Sequence, residues 1–455
     1  MRGMVGAGVL FLAGSGIALP AEPAARQTEV RAAHRRDLEP QIASLVDQRL
    51  GEWVALYKEL HAAPELSLRE EQTAARLAEL WEAAGLAVTP NVGGHGVVAV
   101  LANGEGPTLL IRTDMDALPV VEETGLPYAS RVRVELDDGS HVGVMHACGH
   151  DVHMTVAVAA AQVLAALKDR WRGTAVFIGQ PAEEVGRGAR MMIAAGLFER
   201  FPKPDYCTAE HVAHDLPAGV VGVYAGYVNA NVDSVDITIY GRGGHGAHPH
   251  LSEDPIVAAA QVIVGLQTLV SRRVKPTAPA VVTVGSVHAG TKHNIIPEVA
   301  RLQLTVRSYN DEVRRQLLDG IRQVTADTCR AMGCSRPPEV LVSEEEYTPA
   351  AYNDPALTAA AKAVFEQALG SDRVVDKPPE MGGEDFGTYS RTLGVPGFMF
   401  RVGVVSAEDY AASQTPGGPK LPPAHSSRFA PRPEPTIRTA VHAMTALACS
   451  MLGAP

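Results

Sequence analysis

The chain has 455 residues, of which 46% are hydrophobic, 20% charged and 5% aromatic. That length exceeds one ordinary compact domain and points to two. The formal net charge of −11 argues against nucleic acid or an anionic membrane surface as a partner, because neither attracts an acidic protein; a small-molecule substrate stays open.

At the N-terminus Arg2 precedes a mostly apolar stretch over 4–19, followed by Pro20 and small residues through Ala25. This reads as a signal peptide over 1–26, so export to the periplasm or secretion is expected. The stretch is short and glycine-containing for a spanning helix. No later segment holds an uninterrupted apolar run of spanning length, so no stable membrane insertion is expected after leader removal. Leu45, Val46, Leu50, Trp53, Leu56 and Tyr57 are at helical spacing and predict a helix over 38–59. A second, over 71–84, stops at Gly85, a common C-terminal signal. Short apolar runs at 96–101, 108–111 and 175–178, bounded by Gly, Pro or Asn, read as buried strands. With a helix over 153–167 among them, the alternation predicts an α/β sheet core.

The character changes near Tyr224. Val235, Ile237 and Ile239 alternate with polar residues in a half-buried strand over 232–240. A glycine-rich turn (241–246), an apolar-rich helix (254–270), strands (280–287, 301–306) and a helix (311–332) follow. This order predicts a smaller α+β domain over 224–345, inserted between the two parts of the first domain, 38–223 and 346–455. The second part holds a helix (355–369), a strand (397–401) and a closing helix (437–452). Residues 404–423, rich in Pro, Gly, Ser and Ala, read as a loop. The five cysteines do not form a disulfide framework. Cys329 and Cys334 either pair in an oxidising compartment or remain two buried thiols.

The densest chemical cluster is MHACGHDVH, residues 145–153. Thiolate and imidazole are natural ligands for zinc and similar ions, and Gly149 permits a tight turn between Cys148 and His150. Asp151 could orient a neighbouring imidazole. A chance His-rich loop before a helix would look the same. After the strand at 175–178 come Glu183 and Glu184, two carboxylates at a strand end, where α/β sheets gather their ligands. One can hold metal while the other takes a proton from water; an ordinary acidic turn is the alternative. Glu210-His211 and Ala424-His425 are weak signals alone. Arg112, Asp114 and Asp116 follow the strand at 108–111 as a site edge or a surface ion pair.

The motifs RTDMDALP, MHACGHDVH, QPAEE, His211-Val212, GRGGHGAHPH, HNIIP, GGEDF and AHS occur in that order. Together they resemble the aminoacylase/carboxypeptidase-type metallopeptidases, and within them the branch of bacterial hippurate hydrolases, N-acetyl-diaminopimelate deacetylases and plant auxin-conjugate amidohydrolases. The resemblance runs from about Leu45 to the C-terminus. Each motif alone is unspecific; eight in order are not. The resemblance implies a two-domain α/β fold, a mixed-sheet catalytic domain with an inserted α+β lid or dimerisation domain. It implies two divalent ions on Cys148, His150, Glu184, His211 and His425. Zinc or manganese are expected, and cobalt or nickel are also compatible. Glu183 would be the general base. His245 in the lid would polarise the scissile carbonyl, from the partner subunit of a homodimer, while Asn294 and Arg307 would hold the substrate carboxylate. His248 and His250 would be structural or exposed, and Glu384 and Asp385 would line the site. Other branches have His-x-Asp where this chain has Arg112-Thr113-Asp114, so Asp114 reads as an orienting group. The implied reaction is hydrolysis of N-acyl amino acids, hippurate-like or N-acetyl, to a carboxylic acid and a free amino acid. The alternative is dipeptidase or carboxypeptidase action through the same site. The residues alone also admit Cys148 as a nucleophile with His150 as base, or a non-catalytic binding protein.

Overall fold

A computed structural model of the chain describes residues 35–455; the leader expected over 1–26, and the export read from it, lie outside the described residues. The larger body is built on an eight-stranded mixed sheet. Its order is Ala87–Thr89, Val97–Asn103, Gly173–Gln180, Thr108–Asp114, Tyr206–Pro217, Gly397–Val405, Val221–Val223, Val374–Asp376. The four strands from Gly173–Gln180 to Gly397–Val405 are mutually parallel. Parallel strands are covered on both faces and need continuous apolar runs. Leu109, Leu110, Ile111, Val176, Phe177 and Ile178 supply them and are all buried. On one face the helices Glu39–Ala62, His150–Ala166 and Pro433–Met451 pack on one another around Trp53, Tyr57, Trp171 and Phe400. On the other face Val98, Leu110 and Ile178 meet Met192, Phe198 and Tyr389. Each large apolar side chain buried this way contributes about 1.5–3 kcal/mol.

The smaller sheet is antiparallel, in the order Ala280–Ala289, Val299–Ser308, Asn231–Tyr240, Glu339–Val342. Alternation puts Val235, Ile237 and Ile239 on the face covered by the helices Pro255–Thr268 and Asp311–Ala331. Both helices start on side-chain caps: Asp254 accepts from the Ile256 N–H and Asn310 from the Val313 N–H, each at 2.9 Å, the usual role of these residues. The chain passes between the two sheets where Val232 and Thr348 exchange backbone hydrogen bonds.

Two local expectations change, and one expected helix runs longer. Glu339–Val342 is a fourth strand on the edge of the smaller sheet. Within 404–423, expected as loop, Ala407–Ser413 is a helix. Ser406 accepts from the Asp409 N–H at 3.1 Å, and Glu408 and Asp409 complement the helix dipole. The helix Pro255–Thr268 runs on through a π-turn to Arg273, 19 residues in all. By length and composition alone it is able to cross a membrane, although it holds no uninterrupted apolar run of spanning length. Gln261, Gly265 and Gln267 interrupt the apolar run and hid it in the sequence. Ala258, Val262 and Leu266 are buried against the sheet while Ile256, Val257 and Val264 are exposed.

Candidate metal centre

The parallel strands deliver their polar residues to one end of the larger sheet. Thr108–Asp114 ends in Arg112 and Asp114, Gly173–Gln180 leads into Glu183 and Glu184, and Tyr206–Pro217 carries Glu210 and His211. Cys148 and His150 flank Gly149, whose left-handed backbone (φ +84) starts the helix His150–Ala166. His425 arrives from the far end of the chain, its N–H bound to the Ala147 carbonyl at 2.7 Å.

These elements bring Cys148, His150, Glu184, His211 and His425 together. Cys148 Sγ is 3.6 Å from His211 Nε2. His150 Nε2 is 3.7 Å from Glu184 Oε1, and His425 Nε2 is 3.4 Å from Glu184 Oε2. Donors bound at about 2.0–2.3 Å to one tetrahedral ion lie about 3.3–3.8 Å apart. Two three-donor groups, Cys148–His150–His211 and Cys148–Glu184–His425, share the thiol. His150 Nε2 and Glu184 Oε1 are buried without a hydrogen-bond partner among the described residues, while His150 Nδ1 faces Asp116 Oδ1 at 3.4 Å. Such orphaned atoms are costly, and a cation satisfies them. The residues present therefore fit two divalent ions.

A second layer sets their orientation. His211 Nδ1 is 2.8 Å from the Val212 carbonyl. Only a protonated Nδ1 bonds a carbonyl, so Nε2 keeps its lone pair for a metal. His153 Nε2 accepts the Val212 N–H at 3.0 Å and its Nδ1 stands 2.7 Å from Asp114 Oδ1, so both of its nitrogens are engaged. Asp114 also takes Arg112 Nη1 at 2.6 Å, which leaves it as an orienting group. The buried Arg112 meets Glu384 at 3.0 Å and Asp385 at 3.1 Å as well. Asp151 does orient an imidazole, that of the buried His61, at 2.6 Å, and Glu122 lies on its other side at 3.1 Å. Burial opposes a charge on His61, but these two carboxylates raise its pKa to about 10. His146 is buried with neither nitrogen bonded among the described residues, and burial pushes it down to about 4.

The site is short of positive charge. Burial raises Glu183 well above the usual carboxylate range, and Glu384 and Glu184 add to this. Burial likewise pushes Glu184 up to about 7, with His150 pulling the other way. The Cys148 thiol is raised by burial and by Glu184. A thiol so placed is a poor nucleophile, which weighs against Cys148 as the attacking group; a bound cation reverses its ionisation.

Cys148, Glu183, Glu184, His211 and His425 line a cavity of about 600 Å³, and Arg307, Glu384 and Asp385 share its wall. Among the described residues no hydrogen bond occupies the Glu183 carboxylate. The lid residues divide. Arg307 is on the cavity wall, its Nε bonded to Thr305 at 2.9 Å. His245 and Asn294 lie outside that lining. They are exposed at the small two-stranded sheet where His245 pairs with Ile295; His248 and His250 are exposed too. Sequence reasoning passed over Arg401 and Asn229, which also line the cavity. A single charge in the otherwise apolar strand Gly397–Val405 was the available signal for Arg401.

Residues 110–417 match the model of a family described as "Peptidase family M20/M25/M40". N-acetyl-L-cysteine deacetylase of Bacillus subtilis (strain 168) is 36% identical over 337 residues, 74% of this chain and 77% of that protein. Thermostable carboxypeptidase 2 of Saccharolobus solfataricus is 33% identical over 387 residues, 84% of this chain and 91% of that protein. A solved Bacillus subtilis structure, a dinuclear metal binding peptidase from the M20 family, is 30% identical and superposes with a TM-score of 0.72, covering 89% of this chain and 99% of that one. With its convergent thiol, imidazole and carboxylate donors, the chain belongs to peptidase family M20/M25/M40 and is a metal-dependent enzyme that hydrolyses amide bonds.

Proposed function

We propose that the chain hydrolyses N-acyl amino acids to a carboxylic acid and a free amino acid, with two divalent ions, zinc or manganese, on Cys148, His150, Glu184, His211 and His425. The observation that carries this reading is Glu183. Its carboxylate opens to the cavity beside a ligand, Glu184, and is free of hydrogen bonds among the described residues. When bound, the ions supply Lewis acidity and lower the pKa of water. Glu183 takes the proton of the attacking water and returns it to the leaving amine nitrogen. Arg307 pairs with the substrate carboxylate through its guanidinium fork. His245 of the partner subunit, with Asn294 beside it, reaches the cavity in a homodimer and donates to the carbonyl oxygen as charge develops there. Two features support the homodimer: both residues are exposed and away from this chain's own cavity, and Leu251, Ile256, Val257 and Val264 leave an apolar lid surface uncovered. Likeness to the deacetylase favours N-acyl substrates. Likeness to the carboxypeptidase supports a second reading, peptide cleavage through the same groups.

The test is Glu183→Gln. It retains metal, read by elemental analysis, and loses roughly 100- to 10,000-fold in turnover through loss of the base. A metal-loaded variant turning over near the wild-type rate sinks the mechanism. Hippurate, N-acetyl amino acids and dipeptides assayed together separate the two readings.

A further inference from the structure

The cavity holds two guanidiniums that the proposed reaction leaves unused, the exposed Arg187 and the half-buried Arg401. Arg401 and His211 are register partners in the parallel strands Gly397–Val405 and Tyr206–Pro217. Partners in register project to the same face of a sheet, so Arg401 stands beside a metal ligand, on the cavity wall. It makes one side-chain hydrogen bond, Nη2 to Asn229 Oδ1 at 2.8 Å, and Asn229 is itself 4% exposed. Among the described residues Arg401 has no carboxylate within ion-pair distance. Glu380, whose charge it feels, is held by Lys377 Nζ at 2.8 Å. Arg401 is thus held directly by one neutral amide, and its charge is offset only through space, by a Glu380 carboxylate that it shares with Lys377. Its remaining N–H groups suit a carboxylate, which the fork binds in bidentate fashion.

The rest of the wall is polar, and its carboxylates outnumber its guanidiniums, so an anionic group is favoured only where it meets Arg401 or Arg307 directly. Among the described residues the lining includes no Phe, Tyr, Trp, Leu, Ile or Met, and its aliphatic side chains are Val185, Val232 and Ala424. Pockets that take aromatic groups are lined mainly by apolar and aromatic side chains. A benzoyl or indolyl acyl group finds no such surface here.

We propose that Arg401 contacts substrate, and that the substrate carries a second carboxylate beyond the one taken by Arg307. This rests on the N-acyl amino acid reading and narrows it to dianionic substrates: an N-dicarboxyacyl amino acid or an N-acyl acidic amino acid. The metal-loaded full chain is assayed on N-acetylalanine, N-benzoylglycine, N-succinylalanine and N-acetylaspartate. One of the last two is expected to exceed N-acetylalanine in kcat/KM by at least about tenfold, as a charge-assisted contact allows, and which one tells the side of the amide that Arg401 faces. Arg401→Gln collapses that ratio, mainly through KM, and Arg401→Lys restores part of it. A wild type without dianion preference, or a ratio that Arg401→Gln leaves unchanged, overturns the proposal. Calorimetric titration with glutarate and butyrate decides the case without turnover and without a variant. Glutarate is expected to bind the wild type at least about tenfold more tightly; equal binding overturns the proposal. If no substrate is hydrolysed, the N-acyl reading fails, while the titration still judges Arg401.

Discussion

Gly149 meets two demands at one position. Its φ of +84 lies where side chains are disfavoured, and a Cβ there would stand 2.6 Å from Cγ2 of Val212. Its neighbours are Cys148 and His150, and Val212 follows His211, so one added methyl presses on three candidate ligands at once. Two further site residues, Ala182 (φ 54) and His425 (φ 67), keep a left-handed backbone without being glycine. Such strain costs of order 1–3 kcal/mol per residue and tends to gather where function needs an exact position. Gly149→Ala is therefore expected to lose about 1–3 kcal/mol of stability and most of its bound metal. Urea unfolding and elemental analysis of the purified variant check this. Wild-type metal content at wild-type stability would refute it.

At the scale of the element, the helix Asp311–Ala331 ends in a two-bond cap. The Gly333 N–H bonds the Arg330 carbonyl at 3.1 Å and the Cys334 N–H bonds the Cys329 carbonyl at 3.0 Å, with Gly333 at φ +77. This motif brings together the side chains on either side of the cap, here two thiols that interact with each other. They are expected to form a disulfide by exchange with a small-molecule disulfide such as oxidised glutathione. The protein gives up two electrons and two protons, and two small thiols are released. Burial holds Cys329 up to about 12, so exchange is slow near neutrality and quickens as rising pH supplies thiolate. Trypsin cuts after Arg330, between the two cysteines, so a reducible cross-linked peptide pair in the mass spectrum is diagnostic. Uncross-linked peptides after prolonged exposure at alkaline pH would refute the pairing. The sequence showed that these cysteines were five residues apart, but not that a Schellman cap lay between them. The same limit explains the other misses. Helices such as Glu39–Ala62, the candidate ligands Cys148 and His150 around Gly149, and the carboxylate pair Glu183–Glu184 are written in local spacing and were legible. Arg401 meets Asn229 across 172 positions, and its place beside His211 depends on sheet register, which local spacing does not encode. Glu339–Val342 is a short edge strand, and Ala407–Ser413 is a seven-residue helix set in a stretch whose Pro and Gly otherwise read as loop.

The whole molecule has separate apolar cores. One surrounds Trp53, Trp171 and Phe400 against the larger sheet, and another joins Ile237, Val262 and Ile321 in the lid. All five candidate ligands lie in segments built on the larger sheet, and none lies between Asn231 and Val342. Metal that binds the folded larger body and not its unfolded chain stabilises that body alone, by about 2.7 kcal/mol at a hundredfold excess over Kd. The lid gains nothing directly. Calorimetry of the metal-loaded chain is therefore expected to resolve two transitions. Thorough chelation should lower the one belonging to the larger body and leave the lid's in place, with both activity and the lost stability returning when divalent metal is restored. A single transition, or two that shift equally, would mean that the bodies unfold as one unit. Activity that survives complete metal removal would return the chemistry to the Cys148 thiol, against the burial and the acidic neighbour that keep that thiol protonated.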